Sequence, residues 1–281
     1  MASKSITLGA VAYDPKVVTI WEGFKVWFAK QGLSFDYVLY SNYERQVEAH
    51  FAGHFDVAWN SPLAWIEAER LGRERGRAAR AIAMRDTDQD LTSVVVVRAD
   101  SPIQSIADLA GKTLALGASD SPQATLIPLE HLAQAGLDPA SDLKLRRFEV
   151  GVGLHGDHIG GERDAARALV AGEADAACMI DGNHLLFSSE GTLPNGSTRI
   201  LTQTGVYDHC NFTVLDGVAA PIGRFTELLL GMSYDDASVR PLLDLEGLKV
   251  WRSGRTSGYE LLNAAVDRFG SLEPWLERQR A

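Results

Sequence analysis

Phe55-Asp56-Val57-Ala58-Trp59-Asn60-Ser61-Pro62, running on into Leu63-Ala64-Trp65-Ile66-Glu67-Ala68-Glu69-Arg70-Leu71, is the stretch that decides the fold. Phe55–Trp59 reads as a short apolar strand. Asn60-Ser61-Pro62 stops it, because proline brings no N–H to a ladder but sits well in the first turn of a helix. A helix then runs from Leu63 to about Leu71. Upstream, the same unit occurs twice. Ile6–Val11 is a strand, Asp14-Pro15 an N-cap and first helical residue, and Val17–Lys30 a helix with Val17, Ile20, Trp21, Phe24, Trp27 and Phe28 on one stripe. Phe35–Tyr40 is a second strand and Tyr43–Ala52 a second helix. Three strand–helix units in succession imply a mostly parallel sheet covered by helices.

Downstream, Ala79–Met84 leads to Thr92-Ser93-Val94-Val95-Val96-Val97-Arg98, a β-branched run that fits only a buried strand. The alternation then restarts. Ser105–Leu109 is a short helix, Thr113–Leu116 a strand, Pro122–Gln134 a helix and Leu143–Val150 a strand. Arg163–Val170 is again helical and Ala174–Ile180 extended. Ser197–Thr204 and Phe212–Leu215 add extended segments before a helical tail of Ile222–Met232, Tyr259–Phe269 and Leu272–Arg280. No Pro/Gly/Ser-rich tether separates the halves and no repeat is visible, so two lobes joined by strands are expected. A chain of 281 residues is long enough for both.

The composition, 46% hydrophobic and 23% charged, is that of an ordinary soluble globular protein. A net charge of −10 argues against a general nucleic-acid binder, yet a local cluster of donors can still hold an anion. The N-terminus moves straight into a strand without the pattern of an export leader, and no run of about 18 apolar residues suggests membrane insertion. The chain therefore reads as cytoplasmic as written, and periplasmic if a signal has been removed. Cys178 and Cys210 are too few for a disulfide framework and lack metal or redox spacing, so they read as small buried hydrophobes. Arg70, Arg73, Arg75, Arg77 and Arg80 form either a solvated helix end or a surface for an acidic partner.

Taken together and in order, Gly53–Pro62 (GHFDVAWNSP), Ser93–Ser101 (SVVVVRADS), Ile106–Gly117 (IADLAGKTLALG) and Gly172–Asp181 (GEADAACMID) resemble a known family. It is that of the phosphonate-type substrate-binding proteins of ABC transporters, a branch of the type II periplasmic-binding-protein fold. The likeness covers roughly residues 5–185. It implies an α/β fold of two lobes, each a mixed, mostly parallel sheet flanked by helices. Lobe 1 would be residues 1–97 plus 211–281 and lobe 2 residues 98–210, with crossing strands near Val94–Val97 and Asn211–Leu215. The implied function is to bind a small polar or anionic metabolite, phosphonate-, phosphate- or carboxylate-like, in an interlobe cleft by hinge closure. An ABC-transporter permease is the implied partner if the chain is exported. No cofactor, metal or nucleic acid is expected.

Ligands in such folds meet strand C-termini and helix N-termini. Tyr13 follows the first strand, and edge packing is its plainer role. Asn60 and Ser61 lie where free backbone N–H groups point the same way, although simple N-capping accounts for them equally. Ser119, Ser121 and Gln123 gather before a proline-led helix, a ready arrangement for an oxyanion that the resemblance equates with the phosphonate grip. Asp120 intrudes there, so it points away or the ligand is not strongly anionic. Arg163 stands where the family often has a histidine and can fork onto a carboxylate or phosphate, or simply pair with Glu162 or Asp164. The Gly151–Gly160 loop is longer than the family usually has and carries His155, Asp157 and His158, of which His158 is a candidate ligand contact. Asp181 occupies the place of an acidic residue near a ligand's amine, or else forms an Asp-Gly turn.

A competing reading is an intracellular enzyme on the same fold. Cys210 would be its nucleophile, with a base such as His184 or His158. His209 and Cys210 themselves are expected on opposite faces of an extended strand, out of mutual reach. A third reading, a sensor that closes to dock a protein partner, has no motif of its own.

Overall fold

The computed structural model describes residues 5–280. In chain order the first elements are β1 (Ile6–Val11), α1 (Lys16–Lys30), β2 (Phe35–Tyr40), α2 (Tyr43–Phe51), β3 (Val57–Asn60), α3 (Pro62–Glu74) and β4 (Ala79–Arg85). Then come β5 (Ser93–Arg98), β6 (Thr113–Leu116), α4 (Ile127–Gln134), β7 (Lys144–Arg147), α5 (Gly160–Val170), β8 (Ala176–Ile180), α6 (Asp181–Ser189) and β9 (Thr198–Gln203). The remainder is β10 (Asn211–Leu215), α7 (Ile222–Leu230), α8 (Arg240–Glu246), β11 (Trp251–Ser253), α9 (Glu260–Phe269) and α10 (Glu273–Arg280).

These elements form two compact units. The first holds the described residues up to Gln89, Asp208–Tyr259 and the described residues from Leu272; the second holds Asp90–Tyr207 and Glu260–Ser271. The divisions thus fall at 89/90 and 207/208, where the sequence reading set 97/98 and 210/211, and α9 groups with the second unit. β5, read as a crossing strand, is an interior strand of the second sheet.

The first unit carries a six-stranded sheet in the order β11-β4-β10-β3-β1-β2. β1 runs parallel to β2 and β3, whereas β10 is antiparallel to both β3 and β4. Its core is aromatic. Trp21, Phe24 and Phe28 on the predicted stripe of α1 meet Trp59 of β3, Phe212 of β10 and Trp251 of β11, with Trp59 and Phe212 at 4.7 Å between centroids. Burying each such ring contributes about 1.5–3 kcal/mol, which ties the sheet to its helical cover.

The second sheet runs β7-β6-β8-β5-β9, with β6 parallel to β7 and β8 and β5 antiparallel to β8 and β9. The valine run explains itself here. Val94 and Val96 pack among Ala165, Ala166 and Leu169 of α5, while Val95 and Val97 pack among Leu129 and Leu132 of α4. Both faces are covered, so the strand cannot alternate apolar with polar.

Candidate functional site

At the carboxyl end of β6 the chain makes a tight loop, Gly117–Ser121, and enters a helix that opens with a π turn over Pro122–Leu126. Pro128 accounts for that turn. A helical residue at this position would donate to the carbonyl of Ala124, four residues back, but proline has no N–H. The orphaned carbonyl accepts instead from the N–H of Gly117 at 3.2 Å, which pins the loop to the helix start. Ser121 caps this helix, its Oγ accepting from the N–H of Ala124 at 3.3 Å.

The loop meets a carboxylate. Ser119 donates both its backbone N–H (2.9 Å) and its hydroxyl (3.0 Å) to Oε2 of Glu149. Asp120 Oδ2 accepts the N–H of Gly153 at 2.6 Å, so one of its oxygens is committed to the Gly151–Gly160 loop. Gln123, buried, donates from Nε2 to the carbonyl of Gly156 (2.5 Å) and to Glu162 Oε1 (3.1 Å), while its carbonyl Oε1 has no partner.

Glu162 is the residue that sequence reasoning undervalued. It is 2% exposed in the first turn of α5 and accepts from Gln123, from the N–H of Ile180 (2.9 Å) and from Asn183 Nδ2 (2.8 Å). Its own first-turn position adds the favourable end of the helix dipole. The signal lay in the two glycines before it. A Cβ on Gly161 would stand 2.7 Å from the Phe148 carbonyl oxygen and 3.2 Å from the Ala118 N, so only glycine lets the helix start approach that backbone and insert the carboxylate. Burial raises the pKa of the Cys178 thiol well above its usual value, and the Glu162 charge adds to the effect. Tyr207 is raised likewise, first by burial and then by Glu162 and Asp181.

Asp181 opens α6 rather than a simple Asp-Gly turn. Its Oδ2 accepts the Thr92 hydroxyl at 2.7 Å, and Thr92 in turn accepts from Gln203 Nε2 at 2.7 Å. Ser93, next in line, donates to the Gln123 carbonyl at 2.6 Å and shares a 2.7 Å bond with the Tyr207 hydroxyl. Ser93, Gln123, Glu162 and Asn183 therefore form one hydrogen-bonded chain at the strand ends of the second sheet, with Thr92 and Asp181 beside it. Arg163 leaves it: the guanidinium pairs with Glu190 and lies over the Phe187 ring at 4.8 Å. His158 turns back on its own loop, Nδ1 accepting from the N–H of Gly160 at 3.1 Å. His184 lies on α6, and partial burial lowers its pKa.

In the first unit Asn60 is fully buried within a chain of hydrogen bonds. Gln46 Nε2 donates to its Oδ1 (2.8 Å), and its Nδ2 donates to Thr213 Oγ1 (2.9 Å). Thr213 donates to Asn211 Oδ1 (2.6 Å), Asn211 to the Tyr259 hydroxyl (2.8 Å), and Tyr259 to the His209 carbonyl (2.7 Å). Ser61 caps α3 through the N–H of Ala64 at 3.1 Å. Tyr13 is half-buried against the aromatic core, with Lys16 Nζ 5.8 Å from its ring centroid.

The expectation that His209 and Cys210 stay apart is overturned. His209 Nδ1 lies 3.1 Å from Cys210 Sγ. The alternation of a strand does not apply, because β10 begins only at Asn211 and residues 208–210 are irregular. Asp88 joins them, Oδ1 standing 3.5 Å from the same Nδ1 and accepting the N–H of Cys210 at 3.2 Å. His158 and His184, the bases considered for Cys210, belong to the second unit.

A family model described as "ABC transporter, phosphonate, periplasmic substrate-binding protein" matches residues 11–265. Among solved structures, PhnD1 of Prochlorococcus marinus in complex with methylphosphonate superposes with a TM-score of 0.69 at 17% identity, over 95% of this chain and 98% of that one. XAC2383 of Xanthomonas citri, bound to chloride ion, gives 0.71 at 20% identity over the same shares, 95% and 98%. The aliphatic sulphonate binding protein SsuA of Escherichia coli gives 0.62 at 17% identity, over 96% of this chain and 88% of that one. Likeness at such identities establishes the fold, which is that of the type II periplasmic binding proteins.

Proposed function

The chain belongs to the family of phosphonate-type periplasmic substrate-binding proteins of ABC transporters, and from that premise we propose that it binds a small oxyanion-bearing metabolite at the β6–α4 loop. The observation that carries this reading is Ser119 on Glu149. One hydroxyl and one backbone N–H converge on a single carboxylate oxygen, the contact an oxyanion ligand needs. Ser121 and the buried Gln123 stand next to it, the latter held by Glu162 so that its free carbonyl presents an acceptor to a hydroxyl or amine on the same ligand. Within the second unit, His158 is engaged with Gly160, Arg163 with Glu190 and Asp181 with Thr92, so none of the three carries this reading.

Methylphosphonate, an alkylsulfonate, inorganic phosphate and acetate, titrated separately into the full chain by calorimetry, test it. Binding of at least one, weakened about 10-fold or more by Ser119→Ala as one hydrogen bond to a charged group is lost, is the expected result. No heat with any of the four oxyanions removes the loop from function. Delivery to a permease and residence in the periplasm follow from the same reading. No helix among the described residues is long and apolar enough to cross a membrane.

A further inference from the structure

Asp88, His209 and Cys210 lie in the first unit, all three buried, with one oxygen, one nitrogen and one sulfur within 4.8 Å of one another. A Cys-His-Asp set invites comparison with a proton relay, but the geometry forbids one. A relay uses both ring nitrogens, one toward the acid and the other toward the thiol. Here Sγ and Oδ1 both approach Nδ1, at 3.1 and 3.5 Å. Three donor atoms of different kinds gathered within 4.8 Å of one another suit a metal ion instead.

We propose that Asp88 Oδ1, His209 Nδ1 and Cys210 Sγ form a binding site for a divalent cation of the zinc type. Bond lengths of about 2.0–2.3 Å in tetrahedral zinc set neighbouring ligand atoms roughly 3.3–3.6 Å apart. The 3.5 Å edge already matches and the 3.1 Å edge needs only to open slightly. Sulfur with imidazole and carboxylate is the borderline-soft mixture that favours zinc, cobalt or nickel over magnesium or calcium. Asp88 is held as a ligating carboxylate usually is: Arg85 forks onto it, Nε to Oδ2 at 2.6 Å and Nη2 to Oδ1 at 2.8 Å, and itself rests on Glu246 and over Trp59. Charge agrees. Asp88 and Glu246 against the Arg85 guanidinium leave one negative charge, and the thiolate that Cys210 becomes on binding metal makes two, which a divalent cation neutralises. Three protein donors leave a fourth position for water or an added ligand.

The test uses the full chain and the metal alone. Cobalt(II) should bind with a thiolate-to-cobalt charge-transfer band and the intense visible bands of four-coordinate cobalt, and zinc should bleach both. Cys210→Ser should remove the charge-transfer band, whereas Cys178→Ser, at the other buried thiol, should leave the spectrum unchanged. Bound zinc should also slow alkylation of Cys210 in the wild-type chain, read by peptide mass, which needs no variant to fold. A wild-type chain that shows no charge-transfer band, or a band that survives Cys210→Ser, overturns the proposal.

Discussion

Ser119 holds Glu149 by two hydrogen bonds to one oxygen, so the chain carries an internal carboxylate on the donors that an oxyanion ligand would use. Competition follows. Glu149 is exposed, and its departure from Ser119 costs little beyond the two bonds.

Glu149→Ala should therefore tighten binding of whichever oxyanion the wild type accepts, by about 3–10-fold, since one competing charge-assisted contact is removed. Calorimetry of the wild type, Glu149→Ala and Ser119→Ala separates the effects: the first variant gains affinity and the second loses it. Equal affinities in all three would show that the loop does not meet the ligand.

The helix start behind this loop depends on a missing side chain. Gly161→Ala would drive a methyl against the Phe148 carbonyl and the Ala118 N, both backbone and unable to swing aside. A loss of about 1–3 kcal/mol is expected, the usual range for overpacking, with displacement of Glu162 from Gln123. Gly182→Ala meets open space and is the control. Urea unfolding of the two variants checks the difference, and equal midpoints would contradict it.

Much of this arrangement was legible in the sequence, and the parts that were not share a cause. The valine run, the aromatic stripe of α1 and the proline-led start after Ser121 are local patterns, and each became the element it suggested. Start points slipped where the chain continued past its signal: α5 begins at Gly160 rather than Arg163, because the glycines that look like loop serve close packing. α8 and β11 gave no periodic signal, being short and held by tertiary contact. Of the site, polar residues next to helix starts were found, but their partners were not. Glu149, thirty residues from Ser119, and Asp88, 122 from Cys210, are joined to them only by the fold. Arg163 read as a ligand fork because nothing in the sequence announces Glu190 as its partner.

Asn60 links Gln46 to Thr213 in the buried chain that runs on to Tyr259. Asn60→Leu keeps the branched outline but takes the acceptor from one Gln46 N–H and the donor from Thr213 Oγ1, both buried. The expected cost is about 2–3 kcal/mol, that of buried polar groups losing partners. Asn60→Leu combined with Thr213→Val should cost less than the sum of the two single changes, and a double loss equal to that sum would show that the two residues are not coupled.

Acid should destabilise the first unit in two separate windows. His50 is buried against Phe55, rings stacked at 4.7 Å, with Nδ1 unpartnered. Burial pushes its pKa down to about 4 from 6.5, a bond to the Asp56 carbonyl opposes the shift, and the Arg77 charge adds to it. Between those values the unfolded chain binds a proton that the folded chain refuses, so stability rises with pH. It is fully present above 6.5 and is lost as pH falls toward 4, by roughly 3 kcal/mol for a shift of this size. Asp88 acts lower. Its burial favours the neutral form, but the Arg85 fork outweighs that and holds the carboxyl down at about 2 from 3.8, so its contribution disappears only as pH falls through that lower window. Urea midpoints measured across the range from neutral to acid should drop first in the histidine window and again in the carboxylate one. His50→Gln, which cannot titrate, should flatten the first drop and leave the second. A first drop that persists unchanged in His50→Gln would assign it to another group.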